Sequence, residues 1–245
     1  DLQACTVQKV GAGFDFVRDT DTLTGVDNLW ATNGDDTLLG RNYWDVETFR
    51  GYFGFNFIDG RGGNDSVDYS WASIGLGDRV EVSLAAGTAS LFSNGSGATD
   101  TLRQIEIVTG TQGTDFYNAV GYGGSSVNRN SFGEDYNIYN PLGGNDDIFG
   151  NGNTIVSLAG VAGKLTVDLG LLTDGSTAHT GVVGFIAVAG AVGYAPGDYL
   201  MSGVNQIRAG AYDDTLIGGG RTNSSGSGTT VSGDNSFEGF RGAGG

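Results

Sequence analysis

Three copies of a long repeat constrain this chain more than any other feature of its sequence. TLTGVDNLWATNGDDTLLG at 22–40 aligns with TLRQIEIVTGTQGTDFYNA at 101–119 at an offset of 79, and GVNQIRAGAYDDTLIG at 203–218 aligns with the first copy at 178. A second landmark, NFIDGRGGND at 56–65, aligns with NIYNPLGGND at 137–146 at an offset of 81. Offsets that grow between fixed landmarks indicate loops inserted into a repeating scaffold.

The repeats predict one continuous scaffold rather than separate domains. The final RGAGG is in approximate register with the RGGND of the second landmark, so we expect the chain to continue into a longer array. An apolar, glycine-broken stretch lies in the insertion near 181–197, where it either packs on the core or, if exposed, forms a subunit contact. The predicted parts are an N-terminal flank at 1–19, a first unit at 20–98, a second at 99–197 and a truncated third at 198–245.

Short apolar centres separated by turn residues predict the fold class. Leu38, Phe49, Phe57 and Val67 are spaced 11, 8 and 10 residues apart, with Gly, Asn and Asp between them. Strands this short at nearly constant spacing favour a solenoid, whereas a sandwich has longer alternating strands. The sequence therefore predicts an all-β, right-handed parallel β-solenoid, similar to a β-roll or β-helix, with short rungs and loop insertions.

Two longer alternating segments predict a local departure from this pattern. VEVSL at 80–84 and LTVDL at 165–169 alternate apolar and polar residues, which is typical of an antiparallel ribbon with one buried face. No segment has the pattern of a helix longer than about two turns.

Composition excludes several classes of function. The 28 acidic and 12 basic residues give a net charge of −16, which opposes binding to nucleic acid or to an anionic membrane and favours an offsetting cation. The single cysteine, Cys5, and the single histidine, His179, exclude an internal disulfide and disfavour a zinc site or a Ser-His-Asp relay. No apolar stretch is long enough to predict a membrane span, and no signal peptide is visible.

The turn sequences point to a specific ion. In GRGGNDSV at 60–67, Gly60, Gly63, Asp65 and Val67 occupy positions 1, 4, 6 and 8 of a nonapeptide, and an arginine departs from the pattern at position 2. This stretch resembles the G-G-x-G-x-D-x-U-x repeat of the repeats-in-toxin (RTX) family, in which U is a large apolar residue. The resemblance implies that turn carbonyls and the Asp carboxylate hold Ca²⁺ between successive turns, while U points into the core. Asn-Asp pairs also form Asx turns without any ion, and that alternative stays open.

Position by position, the resemblance assigns the following residues. The aspartates at the sixth position, as candidate Ca²⁺ ligands, are Asp36, Asp65, Asp115, Asp146 and Asp214. The residues before them, as further oxygen donors or as turn caps, are Asp35, Asn64, Asn145 and Asp213.

The expected function is structural rather than enzymatic. The larger repeats resemble degenerate RTX segments of secreted bacterial surface proteins, which implies an extracellular or cell-surface location reached by export that needs no signal peptide. The implied work is adhesion or self-assembly into a surface layer or filament. The expected partners are other copies of the chain, neighbouring repeats or cell-surface glycans.

Two alternatives come from other classes. Parallel β-helices often carry polysaccharide lyases or epimerases, for which Asp168, Asp174 and Glu134 are candidate carboxylates. The aromatic run WDVETFRGYFGFNF at 44–57 suits a glycan-stacking platform, although its alternation favours an aromatic ladder inside the core.

Overall fold

The regular structure of the described residues is almost entirely β-strand. The computed structural model describes residues 6–10, 17–22, 25–72, 78–93, 96–129, 133–161, 164–168, 182–186, 199–209, 215–217 and 236–238. Within these ranges the helical content is a single 3₁₀ turn at Ser70–Ala72, so the all-β prediction is confirmed. The described part of the chain contains no helix with the length and apolar character that a membrane span needs.

Nineteen strands are numbered here in chain order. The first ten are β1 Thr6–Val10, β2 Val17–Thr22, β3 Asn28–Trp30, β4 Thr37–Leu39, β5 Thr48–Arg50, β6 Phe57–Asp59, β7 Ser66–Asp68, β8 Arg79–Ser83, β9 Thr88–Ser93 and β10 Ser96–Arg103. The others are β11 Ile107–Thr109, β12 Phe116–Asn118, β13 Asn137–Asn140, β14 Asp147–Ser157, β15 Lys164–Asp168, β16 Val182–Ile186, β17 Leu200–Arg208, β18 Thr215–Ile217 and β19 Ser236–Glu238.

Most strands belong to one sheet that forms two rows. The first row runs β3-β5-β7-β11-β13 and continues into the second half of β14, and the second row runs β4-β6-β10-β9-β8-β12 and joins the first half of β14. Successive strands from β3 to β7 therefore alternate between the rows. Because both ends of this path, β3 and β4, are neighbours in the chain, the sheet nearly closes on itself.

The main sheet is mixed rather than purely parallel. Eleven of its described strand pairings are parallel. Two are antiparallel, and both belong to the unit β8-β9-β10 within the second row. This unit contains VEVSL, so the predicted antiparallel ribbon is confirmed there.

Two smaller sheets lie outside these rows. β1 pairs antiparallel with β2, and β15, which contains most of LTVDL, pairs antiparallel with β16 and parallel with β18. β16 covers Val182–Ile186 of the predicted apolar insertion, and residues 187–197 lie outside the described ranges.

Turns of six residues connect many of the three-residue strands. Each begins directly after one strand and ends on an Asp or Asn directly before the next, so that strand and turn together span nine residues, or ten where the four-residue β13 precedes the turn. Gly60 and Gly110 open two of these turns, and a Cβ at either position would overlap the carboxylate that closes its own turn. The five turns are 31–36, 51–56, 60–65, 110–115 and 141–146.

The central residue of each short strand faces the core. Val67 pairs in register with Val108 in the first row, and Leu38 pairs with Ile58 in the second, and all four side chains are buried. The flanking residues point outward because side chains alternate along a strand. Burial of Leu38, Phe49 and Val67 confirms three of the four predicted apolar centres.

The fourth centre, Phe57, was wrong, and so was the aromatic ladder. Ile58 is fully buried at the central position of β6, while Phe57 is 37% exposed. Trp44 and Phe55 are 74% and 64% exposed, and Phe53 is only partly buried against the core. Phe53 and Phe55 lie in a turn, where the alternation of a strand does not apply.

The exposed aromatic residues do not form a single platform either. Trp44 lies in the connection 40–47, which leads from the second row to the first, whereas Phe55 lies in the turn 51–56, which leads from the first row to the second. The two side chains therefore stand at opposite edges of the two rows.

The register of β6 predicts contrasting effects for two neighbouring substitutions. Ile58→Ala should lower the free energy of unfolding by about 2–5 kcal/mol, because it leaves a cavity in the core. Phe57→Ala should cost less, because the Phe57 side chain is 37% exposed and does not belong to the buried core. Denaturant unfolding of both variants measures the difference, and equal losses would contradict the register.

Candidate functional site

The residues that close the turns hydrogen-bond to one another from rung to rung. At the edge where the chain enters the first row, the Glu47 N–H donates to Asp65 Oδ1 at 2.9 Å, and the Asp65 N–H donates to Glu106 Oε2 at 2.8 Å. These three residues precede paired strands, so they form a column in register. All three are buried, and each carboxylate of the column satisfies a backbone group that strand pairing leaves over.

The opposite edge has the same arrangement. The Asp36 N–H donates to Asn56 Oδ1 at 3.0 Å, and the Asn56 N–H donates to Asp100 Oδ1 at 3.1 Å. Further along the edge, the Asp115 N–H donates to Asp146 Oδ1 at 2.8 Å. Asp65, Asp115 and Asp146 therefore each bind the backbone of a neighbouring rung through one carboxylate oxygen. Asn56 does so through its amide oxygen, and Asp36 takes part through its N–H.

In two of the turns, a threonine donates hydrogen bonds to the carboxylate of the predicted aspartate. Thr32 donates its N–H and its hydroxyl to Asp36 Oδ2, both at 2.8 Å. Thr111 donates its N–H to Asp115 Oδ2 at 2.7 Å and its hydroxyl to Oδ1 at 2.8 Å. Asp115 Oδ2 also accepts a hydrogen bond from the Tyr139 hydroxyl at 3.1 Å, so both oxygens of this carboxylate have partners. We call 31–36 and 110–115 the threonine turns.

The other two described aspartates each keep one oxygen without a partner. Asp65 and Asp146 are 0% and 1% exposed, and the Oδ2 atom of each makes no hydrogen bond within the described part of the chain. Their turns carry Arg61 and Leu142 at the position of the threonine, with φ of 66° and 63°. We call 60–65 and 141–146 the GGND turns, after the four residues that both contain.

The turn 51–56 has a similar backbone but a neutral closing residue. Tyr52 has φ of 56° at the same position as Arg61 and Leu142. Asn56 closes the turn and donates its Nδ2 to Asp100 Oδ1 at 2.8 Å. A turn with this backbone conformation therefore leaves no oxygen of its closing side chain unpaired when that side chain is an amide. Among the described turns, the oxygen without a hydrogen-bond partner is specific to the aspartates of the GGND turns.

Burial of these carboxylates raises their pKa values. Removal from water raises the pKa of Asp65 to about 8, and the charges of Glu47 and Glu106 act in the same direction. Burial raises the pKa of Glu106 to about 7 although the Asp65 amide and the Tyr122 hydroxyl donate to it. The pKa of Asp146 is also raised, by burial first and then by the charge of Asp115.

The carboxylates of Glu47 and Glu106, the neighbours of Asp65 in the column, accept more hydrogen bonds than the Asp65 carboxylate does. The guanidinium and backbone N–H of Arg41 bind the Glu47 carboxylate, and the Tyr122 hydroxyl donates to Glu106 Oε1 at 3.3 Å. Sequence reasoning did not select Glu47 or Glu106, although Glu106 aligns with Asp27 in the repeat. The available signal was an acidic or amide residue two positions before each apolar centre.

No model of a known protein family matches this chain. No curated protein matches it either. The site is therefore interpreted from its own geometry.

Calcium fits the GGND turns only with backbone help. The ion takes 6–8 oxygen ligands, and the described residues contain no group of three or more acidic, His or Cys side chains able to hold a metal. At Asp65 a second oxygen is close, because a Cβ on Gly60 would overlap both the carboxylate and the Gln104 carbonyl. The orphaned oxygen supplies the charge, and turn carbonyls and water would have to complete the shell.

The described residues that were predicted as further oxygen donors lie away from the buried carboxylate oxygens. Asn64 and Asn145 are exposed, because each precedes a buried aspartate and points to the other side of the chain. Asp35 is also exposed, and its Oδ1 accepts the Phe55 N–H at 2.9 Å. Asp213 and Asp214 lie outside the described residues.

Of the carboxylates proposed for the enzyme alternative, the structure describes the side chain of Glu134 alone. Glu134 is exposed in the connection between β12 and β13. Asp168 closes β15, whose backbone alone is described at that position, and Asp174 lies outside the described residues.

Without a bound cation, the raised pKa of Asp65 predicts stability that falls with pH. An unfolded Asp titrates near 3.8, so the folded protein holds this proton more tightly between about pH 4 and pH 8. The resulting stabilisation is complete below about pH 4 and is lost as the pH rises through about 8. Asp65→Asn removes the titrating group, so its melting temperature in EDTA should decline less than that of the wild type between pH 5 and pH 9. Parallel declines in the two proteins would contradict this assignment.

Proposed function

We propose that the chain is a calcium-stabilised, right-handed parallel β-solenoid with antiparallel insertions, which serves as a structural segment of a secreted bacterial surface protein. Its work is adhesion or assembly into a layer or filament. The observation that carries the calcium proposal is the pair of orphaned, buried oxygens on Asp65 and Asp146. An unpaired charged oxygen in the interior is costly, and a divalent cation removes that cost.

The geometry of the turns supports an ion at these positions. Arg61 and Leu142 adopt a left-handed backbone that side chains with a Cβ rarely take. Tyr52 does the same in the turn 51–56, so the unpaired carboxylate oxygen and not the backbone distinguishes the GGND turns. Both turns match the sixth-position aspartate of the RTX nonapeptide, and β6 with the turn 60–65 has the nine-residue length of that repeat. Ca²⁺ bound at Asp65 and Asp146 would also bring the net charge of −16 closer to zero.

The structural role follows from the distribution of the ions. Both candidate sites lie at turn corners between rungs, where an ion would stabilise the fold by holding neighbouring turns together. Extracellular calcium modules bind at about 10⁻⁴–10⁻³ M. At about 1 mM calcium and a dissociation constant of about 10⁻⁴ M, each site would add roughly 1.4 kcal/mol to the free energy of unfolding.

The two kinds of turn predict which aspartates bind calcium. Calcium at about 1 mM should raise the melting temperature of the wild type, and Asp65→Asn and Asp146→Asn should each remove about 1.4 kcal/mol of that calcium-dependent gain. Asp36→Asn is the matched control, because Thr32 already donates to Asp36. Isothermal titration should show fewer bound ions for the first two variants and an unchanged number for the control.

Comparison of each variant with and without calcium separates ion binding from general damage. In EDTA, Asp65→Asn should be at least as stable as the wild type near pH 8, because the amide carries no buried charge. Calcium titration that leaves the wild-type melting temperature unchanged would contradict the proposal, as would an equal loss of bound ions in Asp36→Asn.

A further inference from the structure

A cavity lies on the outer face of the second row, beside the corner at which the Gln104 carbonyl approaches Asp65. It has a volume of about 270 Å³ and is lined by Asp59, Arg103, Gln104, Val127 and Arg129. Asp59 and Arg103 are register partners at the ends of β6 and β10, and both point outward because Ile58 and Leu102 before them are buried. The cavity therefore has a floor on the sheet.

A clamped loop forms the opposite wall. Asn128, in the connection between β12 and β13, is fully buried and binds the backbone of Ile105 twice. Its Oδ1 accepts the Ile105 N–H and its Nδ2 donates to the Ile105 carbonyl, both at 2.9 Å. This clamp holds Val127 and Arg129 on either side of Asn128 against the strand end that carries Arg103.

The two guanidiniums in the cavity differ from other arginines of this acidic chain. Arg41, Arg50 and Arg79 each pair with at least one carboxylate. Within the described residues, the hydrogen bonds of Arg103 and Arg129 go to carbonyl oxygens, those of Leu102 and Gly124, and neither guanidinium forms an ion pair. In a chain with a net charge of −16, two arginines beside a single acid make this cavity a locally positive site.

We propose that this cavity binds a hexuronic acid, a sugar that carries one carboxylate and several hydroxyl groups. Planar guanidinium groups match a carboxylate through paired N–H donors. Asp59 and Gln104 provide acceptors and donors for hydroxyl groups, and the exposed Val127 provides apolar contact for the ring. The volume, just below the usual range for drug-sized ligands, suits a single sugar ring.

Asp59 also determines which anions are excluded. Its carboxylate accepts the Arg61 N–H at 3.0 Å and a long bond from Gln104 Nε2 at 3.4 Å, so it is fixed beside the two arginines. A second negative charge on the ligand would meet this carboxylate, which disfavours a phosphate dianion. A small carboxylate such as acetate has no hydroxyl groups with which Asp59 and Gln104 could form further hydrogen bonds. The site therefore extends the proposed structural role to recognition of an acidic glycan.

The test is a titration of the calcium-loaded protein with galacturonate and glucuronate, followed by amide chemical shifts and calorimetry. We expect millimolar binding, with shifts at Arg103, Gln104 and Val127. Galactose, glucose, acetate and phosphate should bind at least about tenfold more weakly. Arg129→Gln should weaken uronate binding by about tenfold, equivalent to about 1.4 kcal/mol.

Two further variants make the assignment falsifiable. Arg79→Gln is the matched control, because this exposed arginine pairs with Glu81 and does not line the cavity, so binding should be unchanged. Asp59→Asn should reduce the preference for uronate over phosphate. Absence of uronate binding, equal binding of acetate or phosphate to the wild type, or full affinity in Arg129→Gln would each overturn the proposal.

Discussion

The fold depends on satisfying a backbone N–H that strand pairing leaves over at the end of each turn. A three-residue strand pairs too few groups to cover the residue before it, and that residue is buried in most rungs. The protein solves this with a side-chain oxygen from the next rung, such as Asp65 Oδ1 for Glu47 and Asp146 Oδ1 for Asp115. Carboxylates are therefore required inside a structure whose core is otherwise apolar.

The other oxygen of each such carboxylate also needs a hydrogen-bond donor or a positive charge. The chain meets this need in different ways. A threonine within the same turn supplies donors to Asp36 and Asp115. At Asn56 the charge is absent. Arg41 neutralises Glu47. Only the GGND turns, among the described turns, keep an orphaned oxygen, so the calcium proposal concerns Asp65 and not Asp36, although both match the same sequence pattern.

Sequence reasoning reached the features that depend on local pattern. The offset of 79 pairs Asp36 with Asp115, which close the two threonine turns, and the offset of 81 pairs Asp65 with Asp146, which close the two GGND turns. Ile58 was missed because a bulky phenylalanine adjoins it and a three-residue strand is too short to fix its own phase. Differences in bonding between turns were also missed, because they depend on the residue at the second turn position.

Features that depend on long-range packing could not be predicted. The cavity joins residues from β6, β10 and a distant loop, and Asn128 brings that loop into place through the backbone of Ile105. Nothing in the residues around Asn128 identifies its partner. The antiparallel ribbon at VEVSL was predicted, but the position of β9 between β8 and β10 was not, because it depends on packing against both neighbours.

The antiparallel unit β8-β9-β10 has a mechanical consequence. In the first row β7 alone lies between β5 and β11, whereas the second row contains three strands, β10, β9 and β8, between β6 and β12. At a spacing of about 4.8 Å, two additional strands lengthen that side by roughly 10 Å. The unit therefore acts as a wedge, and stacked rungs on either side of it must splay or curve toward the shorter row. An array made from such segments would owe its bend to inserted hairpins, and its length to the number of rungs.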